Sequence, residues 1–120
     1  MIVVDNASGD GSLELIEKIF SGEERLIIIR NTKNLYFAGG NNAGIRQARG
    51  EYIVILNNDT EVELNWLEEI ARNFKDAAIG AAQPKILNFN SPLATIDCVG
   101  SGIDRFGFAR GYGFGQIDNG

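Results

Sequence analysis

The feature that most restricts the fold is Tyr52-Ile53-Val54-Ile55-Leu56, an unbroken apolar run that empties into Asn57-Asn58-Asp59-Thr60. The run is too short for a core helix, and β-branched and aromatic types dominate it. It therefore predicts a strand buried on both faces, as in a parallel sheet. The polar cluster then lies at the carboxyl end of that strand, where ligands of open α/β sheets bind. A carboxylate held there beside two amides suits Mg²⁺ or Mn²⁺, ions that take one or two protein carboxylates and complete their shell with substrate phosphate and water. The same residues also suit a plain turn, because Asn, Asp and Thr satisfy their own backbone and tolerate unusual dihedrals.

The start of the chain repeats this pattern. Ile2-Val3-Val4 reads as a strand and runs into Asp5-Asn6-Ala7-Ser8-Gly9-Asp10-Gly11-Ser12. Asp10 or Ser12 can cap a helix over Leu13 to Phe20, in which Leu13, Ile16 and Phe20 share a face. Asp5 is not explained by capping that helix. An ionised carboxylate only accepts hydrogen bonds, so Asp5 suits the ring N–H of a uracil or thymine; the alternative is an Asx-turn within its own loop.

Leu26 to Ile29 predicts a second strand after the polar connector Ser21 to Arg25. In the passage that follows, Gly39-Gly40 permits close backbone approach and Asn41 or Asn42 can cap a short helix ending near Ala48. Free N–H groups at such a start attract anions. A tight loop packing a helix onto the sheet accounts for the same residues. Neither the dinucleotide fingerprint nor a P-loop is present. Arg30 and Lys33 are expected in solvent.

Leu64, Leu67, Ile70, Ala71 and Phe74 recur at helical spacing, with Trp66 beside them, and predict a core-facing helix. Ala77 to Ala82 reads as a further strand, and Pro84-Lys85-Ile86-Leu87 as extended chain. From Ser91 the composition shifts to short strands and turns, including the glycine-aromatic run Phe108 to Gly115. The tail Ile117-Asp118-Asn119-Gly120 carries no closing element and reads as mobile.

Composition narrows the function. The 120 residues fit one domain, and a net charge of −5 without basic clusters argues against nucleic acid as a partner. With no histidine, Ser-His and Cys-His nucleophilic chemistry and His-based metal sites are excluded. The single cysteine, Cys98, cannot form an internal disulfide and reads as a small buried apolar residue. No run reaches membrane-spanning length and no leader is evident, which predicts a cytoplasmic protein, at most peripheral to the inner face of the membrane.

Together these residues resemble the family 2 inverting glycosyltransferases of GT-A fold, especially their bacterial rhamnosyltransferase-like branch. The resemblance rests on Val3-Val4-Asp5-Asn6-Ala7-Ser8 with Asp10-Gly11-Ser12, Asn34 to Ile45, Gly50-Glu51-Tyr52 to Asp59-Thr60, Trp66-Leu67, Gly80, Pro84-Lys85-Ile86, and Ile96-Asp97 through Gly102-Ile103-Asp104 and Gly107. It implies an α/β, Rossmann-like, mostly parallel sheet with flanking helices, incomplete at both ends. Residues 1–90 would form the nucleotide-sugar part and residues 91–120 a glycine-rich strand and turn segment leading towards the acceptor part.

The resemblance further implies a UDP- or dTDP-type nucleotide-sugar donor, and a saccharide or lipid-linked acceptor. Asp5 would contact the base, with Asn6 also in the nucleotide-sugar site; the Gly39 to Asn42 loop, chiefly Gly39, Gly40 and Asn41, would line the nucleotide pocket, and Asn57 and Asn58 would approach ribose or phosphate. Asp59 would hold the Mg²⁺ or Mn²⁺. Tyr36 stands where the family usually has glycine, and Asn57 where a first carboxylate is possible.

The strand and helix that precede this region in the family, and the acceptor segment with its catalytic base, have no counterpart in these residues. Asp97, Asp104 and Asp118 read as turn or strand-edge residues, so no catalytic residue is assigned. The expectation is a central piece of a glycosyltransferase domain with little or no transfer activity alone. The competing reading is a non-catalytic remnant or oligomerising nucleotide-binding module, with open sheet edges that invite a homodimer.

Overall fold

The computed structural model describes residues 1–91 and 93–119. Pro92 in the linker and Gly120 at the end of the predicted tail lie outside the described residues. The chain divides into two compact units, Met1–Thr60 and Glu61–Gly120. That division falls ahead of the compositional shift at Ser91.

The first unit is a β–α–β unit followed by a helix. Strand β1 (Ile2–Asp5) pairs in parallel with β2 (Ile27–Arg30), in the register Ile2 to Ile27 and Asp5 to Arg30. Parallel neighbours need a crossover, and helix α1 (Ser12–Ile19) provides it. Gly11, at φ +82°, turns the chain into α1, and the Asp10 carboxylate accepts the Ser12 amide at 3.0 Å. Hydrogen bonds from Ser12, its hydroxyl first and then its amide, hold the Asp10 carboxyl below the usual range. Arg30 at the end of β2 pairs with Glu17 of α1.

Helix α2 (Tyr36–Ile45) packs on β1 through its glycines. A Cβ at Gly44 would stand 3.1 Å from the Val4 side chain, and one at Gly40 would stand 2.8 Å from Asn6 Nδ2. Gly40 and Ala43 are buried on this face. The helix, capped at Leu35, begins six or seven residues earlier than a cap at Asn41 or Asn42 predicts, so both asparagines lie inside it and cap nothing. Two causes are visible: Asn34 Oδ1 accepts the Tyr36 amide at 2.7 Å, and Tyr36 itself turns the chain at φ +57°.

The predicted central strand is not formed. Residues 52–56 lie in no strand and are 46–52 % exposed. An apolar run becomes a buried strand only where a neighbour satisfies its backbone and helices cover its faces. Among the described residues β1 and β2 pair only with each other, and about half the surface of this run stays exposed.

The second unit carries helix α3 (Trp66–Asn73) and two short antiparallel strand pairs. The strands β3 (Ile86–Leu87) and β4 (Ile96–Cys98) pair with each other, as do β5 (Ser101–Ile103) and β6 (Ala109–Gly111). The helix forms as its periodicity predicts, with Glu68 and Glu69 in its first turn and Arg72 bound to both. It is not core-facing, because none of its residues is buried. Ala77 to Ala82 forms no strand.

The tail is tied down where mobility is the sequence expectation. Ile117 bridges to Thr95, and Asp118 accepts Lys85 Nζ at 2.7 Å. Among the described residues no helix is long and apolar enough to cross a membrane.

Candidate functional site

Asp5, Asn6 and Gly40 gather where β1 ends. Asp5 closes the strand, and its carbonyl accepts the Asn31 amide at 2.9 Å. One carboxylate oxygen, Oδ1, accepts the Ser8 amide at 3.2 Å, across an Ala7 held at φ +62°. The local turn is therefore real. It uses one oxygen, and Oδ2 accepts no hydrogen bond from any described residue. An oxygen so placed at the carboxyl end of a parallel strand is free to accept a ring N–H.

Asn6 joins three segments. Its Nδ2 donates to the Tyr36 carbonyl at 3.2 Å, and its Oδ1 accepts Asn31 Nδ2 at 2.9 Å. Gly40 approaches the same amide group so closely that no side chain fits between them. Gly39 and Asn41 flank it within α2. The Gly39-Gly40-Asn41 passage is thus a helical segment packed on the strand end, not a loop ahead of a helix.

Asn57, Asn58 and Asp59 form an exposed turn. It is closed by Thr60 Oγ1, which donates to the Asn57 carbonyl at 2.7 Å. Asp59 has no basic partner among the described residues. No hydrogen bond or ion pair joins this turn to Asp5 or Asn6.

A divalent cation can be judged against this donor set. Among the described residues no cluster of three or more His, Cys, Asp or Glu side chains is placed to hold an ion. One exposed carboxylate with two amide neighbours does not make an all-protein cage. It does fit a cation that draws most of its shell from diphosphate and water, and Asp59 is the residue that would hold it.

Two carboxylates of the second unit, Asp104 and Asp118, are engaged in structure. Asp104 accepts the Phe106 and Phe108 amides at 2.9 and 3.0 Å and Arg110 Nε at 3.2 Å, closing the turn between β5 and β6. The Phe108 amide, then that of Phe106, and finally the Arg110 side chain hold its carboxyl below the usual range. Asp118 is paired with Lys85. Neither is set up as a general base.

Cys98 is half-exposed, not buried. Its Sγ accepts the Gly100 amide at 3.4 Å, the main reason the thiol lies below its usual value, and is within 3.2 Å of the Gly100 carbonyl.

Sequence reasoning missed Asn31 and Asn34, which fix Asn6 and Tyr36. Asn31 follows Arg30, the ladder partner of Asp5, and so stands just past its strand end as Asn6 does.

A β–α–β start with a polar strand end is the nucleotide-binding half of many α/β transferases, and comparison with known proteins makes the class specific. The profile of Glycosyl transferase family 2 matches residues 1–96. The chain belongs to that family, and members generally use divalent cations.

A cholesterol galactosyltransferase of Borreliella burgdorferi is 33% identical over 75 residues, 62% of this chain and 21% of that protein. A poly-beta-1,6-N-acetyl-D-glucosamine synthase of Staphylococcus aureus is 32% identical over 102 residues, 82% of this chain and 24% of that protein. An uncharacterised protein of Sinorhizobium fredii is 31% identical over 88 residues, 72% of this chain and 10% of that protein. The chain thus spans between a tenth and a quarter of the length of these relatives. No solved structure matches it significantly.

Proposed function

We propose that this chain supplies the donor side of an inverting glycosyltransferase. It would bind a UDP- or dTDP-type nucleotide-sugar with Mg²⁺ or Mn²⁺, for hexosyl or rhamnosyl transfer to a saccharide or lipid-linked acceptor in polysaccharide or cell-wall synthesis. The observation that carries the reading is the uncommitted Asp5 oxygen at the end of β1, its backbone fixed by Asn31 and its neighbour Asn6 fixed by Tyr36. The names of two relatives, a cholesterol galactosyltransferase and a poly-N-acetylglucosamine synthase, support hexosyl donors and acceptors of lipid or saccharide type.

In this reading residues 1–90 hold the donor and residues 91–120 lead towards the acceptor. Asp5 accepts the imide N–H of the base, and Asn6 holds that strand end in place. Gly39, Gly40 and Asn41 shape the pocket wall by letting α2 approach β1. Asn57 and Asn58 donate to ribose or phosphate oxygens, and Asp59 holds the cation. When bound, the cation neutralises charge on the departing diphosphate. The acceptor hydroxyl forms its bond to the anomeric carbon as the bond from that carbon to the diphosphate oxygen breaks. The hydroxyl proton needs a base within hydrogen-bond reach, and none of these residues is assigned that role. Transfer by these 120 residues alone is therefore expected to be weak or nil, and the site of action is the cytoplasm or the inner membrane face.

Titration calorimetry tests the reading. The chain should bind UDP or dTDP with Mn²⁺, and Asp59→Ala should abolish the dependence on Mn²⁺. Asp5→Ala should erase any preference for UDP over CDP, whose base lacks the imide N–H. Absence of UDP and dTDP binding in the presence of Mn²⁺ refutes it.

A second reading, a non-catalytic module that pairs with another copy through open sheet edges, is favoured by one observation. Both outer edges of the β1–β2 pair are unpaired among the described residues. A dimer that ignores nucleotide would support it.

A further inference from the structure

We propose that the Tyr36 ring is the platform on which the donor's nucleobase stacks, an affinity contact that rests on the donor reading above. Tyr36 is held at φ +57°. In that region the Cβ of an L residue crowds the following carbonyl, and a bulky residue is an outlier there. Strain of this kind persists where surrounding structure enforces it, and it clusters at ligand sites.

Enforcement is visible on both sides of the residue. The Tyr36 amide donates to Asn34 Oδ1 at 2.7 Å, and its carbonyl accepts Asn6 Nδ2 at 3.2 Å. The strain is not repaid by packing, because Tyr36 is 79 % exposed. A rigid, strained backbone is thus presenting an aromatic ring to solvent.

Its root identifies the ligand. Asn6, which holds the Tyr36 carbonyl, is the residue after Asp5, and Asp5 keeps one carboxylate oxygen uncommitted. A base recognised along its edge by that carboxylate leaves its face open. An exposed ring anchored one residue away is suited to cover that face, since stacking accepts any base and needs only a π surface. Among the described residues, no hydrogen bond or ion pair joins the Asn57-Asn58-Asp59 turn to this group.

The test uses the 120-residue chain with Tyr36→Phe and Tyr36→Gly. Glycine fits φ +57° without strain, so Tyr36→Gly removes the ring and keeps the backbone, and its melting temperature should not fall. Calorimetry with UDP and Mn²⁺ should place Tyr36→Phe within about twofold of wild type. Tyr36→Gly should bind roughly tenfold or more weakly, the scale of losing one base–aromatic stack. Inorganic pyrophosphate with Mn²⁺, which has no base, should bind all three alike.

The proposal is overturned if Tyr36→Gly binds UDP as wild type does, and the donor reading then survives. It is also overturned if pyrophosphate binding falls in parallel, which would assign the ring to the phosphate end. Failure of the wild type to bind UDP or dTDP removes both readings together.

Discussion

At the scale of single residues, Asn6 and Gly40 set the geometry of the strand end. A methyl group at Gly40 would lie 2.8 Å from Asn6 Nδ2 and 3.3 Å from its Cγ and Oδ1. Gly40→Ala therefore brings two opposed effects. Helix propensity favours alanine by about 1 kcal/mol, while overpacking costs about 1–3 kcal/mol. We expect a net loss of about 1 kcal/mol in urea unfolding. In an Asn6→Ala background the crowding is gone and the same substitution should become stabilising by about 0.5–1 kcal/mol. A cycle with no coupling between the two positions would show that Asn6 does not determine the approach of α2. The sequence exposed Gly40 as a place of close approach but gave no sign of its neighbour, because the partner lies on another element. Tyr36 was likewise legible only as a departure from the family pattern. Its left-handed backbone follows from Asn34 and Asn6, contacts that a linear pattern does not contain.

At the scale of elements, what was legible were those whose partners are local. β1, α1 and β2 formed within a residue or two of their predicted bounds, because a β–α–β unit supplies its own ladder and crossover. The turn-rich region after Ser91 also formed short strands as read. Tyr52 to Leu56 has the strongest strand composition in the chain and formed none, since composition cannot supply the neighbours that a buried strand needs. The β5–β6 turn shows a local device in full. Hydrogen bonds lower the Asp104 carboxyl in the folded state. Its contribution is therefore complete above the ordinary carboxylate value and is lost as pH falls through the lowered one. Amide exchange at Phe106 and Phe108, corrected for intrinsic rates, should speed up as the medium is acidified below the usual aspartate range, and Asp104→Asn should remove that pH dependence. A pH-independent wild type would exclude the carboxylate as the clasp. Glu23, lowered to about 2 chiefly by the Arg25 side chain, should add little to the acid response. Its partner is two residues away and 87% exposed, so much of that pairing survives unfolding and solvent screens the rest.

On the scale of the whole molecule, exposed apolar surface dominates. The chain presents 10015 Å² of accessible surface. A compact monomer of 13.1 kDa is expected to show about 6,400 Å², and two independent bodies of half that mass about 7,700 Å² together. The excess over the second figure does not depend on how the two units are arranged. The run at residues 52–56 contributes to it directly, with every residue about half exposed, while Ala43 is the one hydrophobic residue buried among those described. Exposed apolar residues such as these, together with the open edges of a two-stranded sheet, favour association with any surface that covers them. The 120-residue chain alone should therefore self-associate as its concentration rises through the micromolar range, read by light scattering after size exclusion. It should also bind a hydrophobic dye. Placing lysine at Ile53 and Ile55 puts charge on a half-exposed run that lies in no strand, so it should suppress both signals without lowering the melting temperature of the first unit. If the double variant still associates as strongly, the contact lies elsewhere, and the open β1 and β2 edges become the surface to block. A wild-type chain that stays monomeric and leaves the dye dark would mean that this apolar run is covered in solution, and the strand expected from its sequence would then have formed after all.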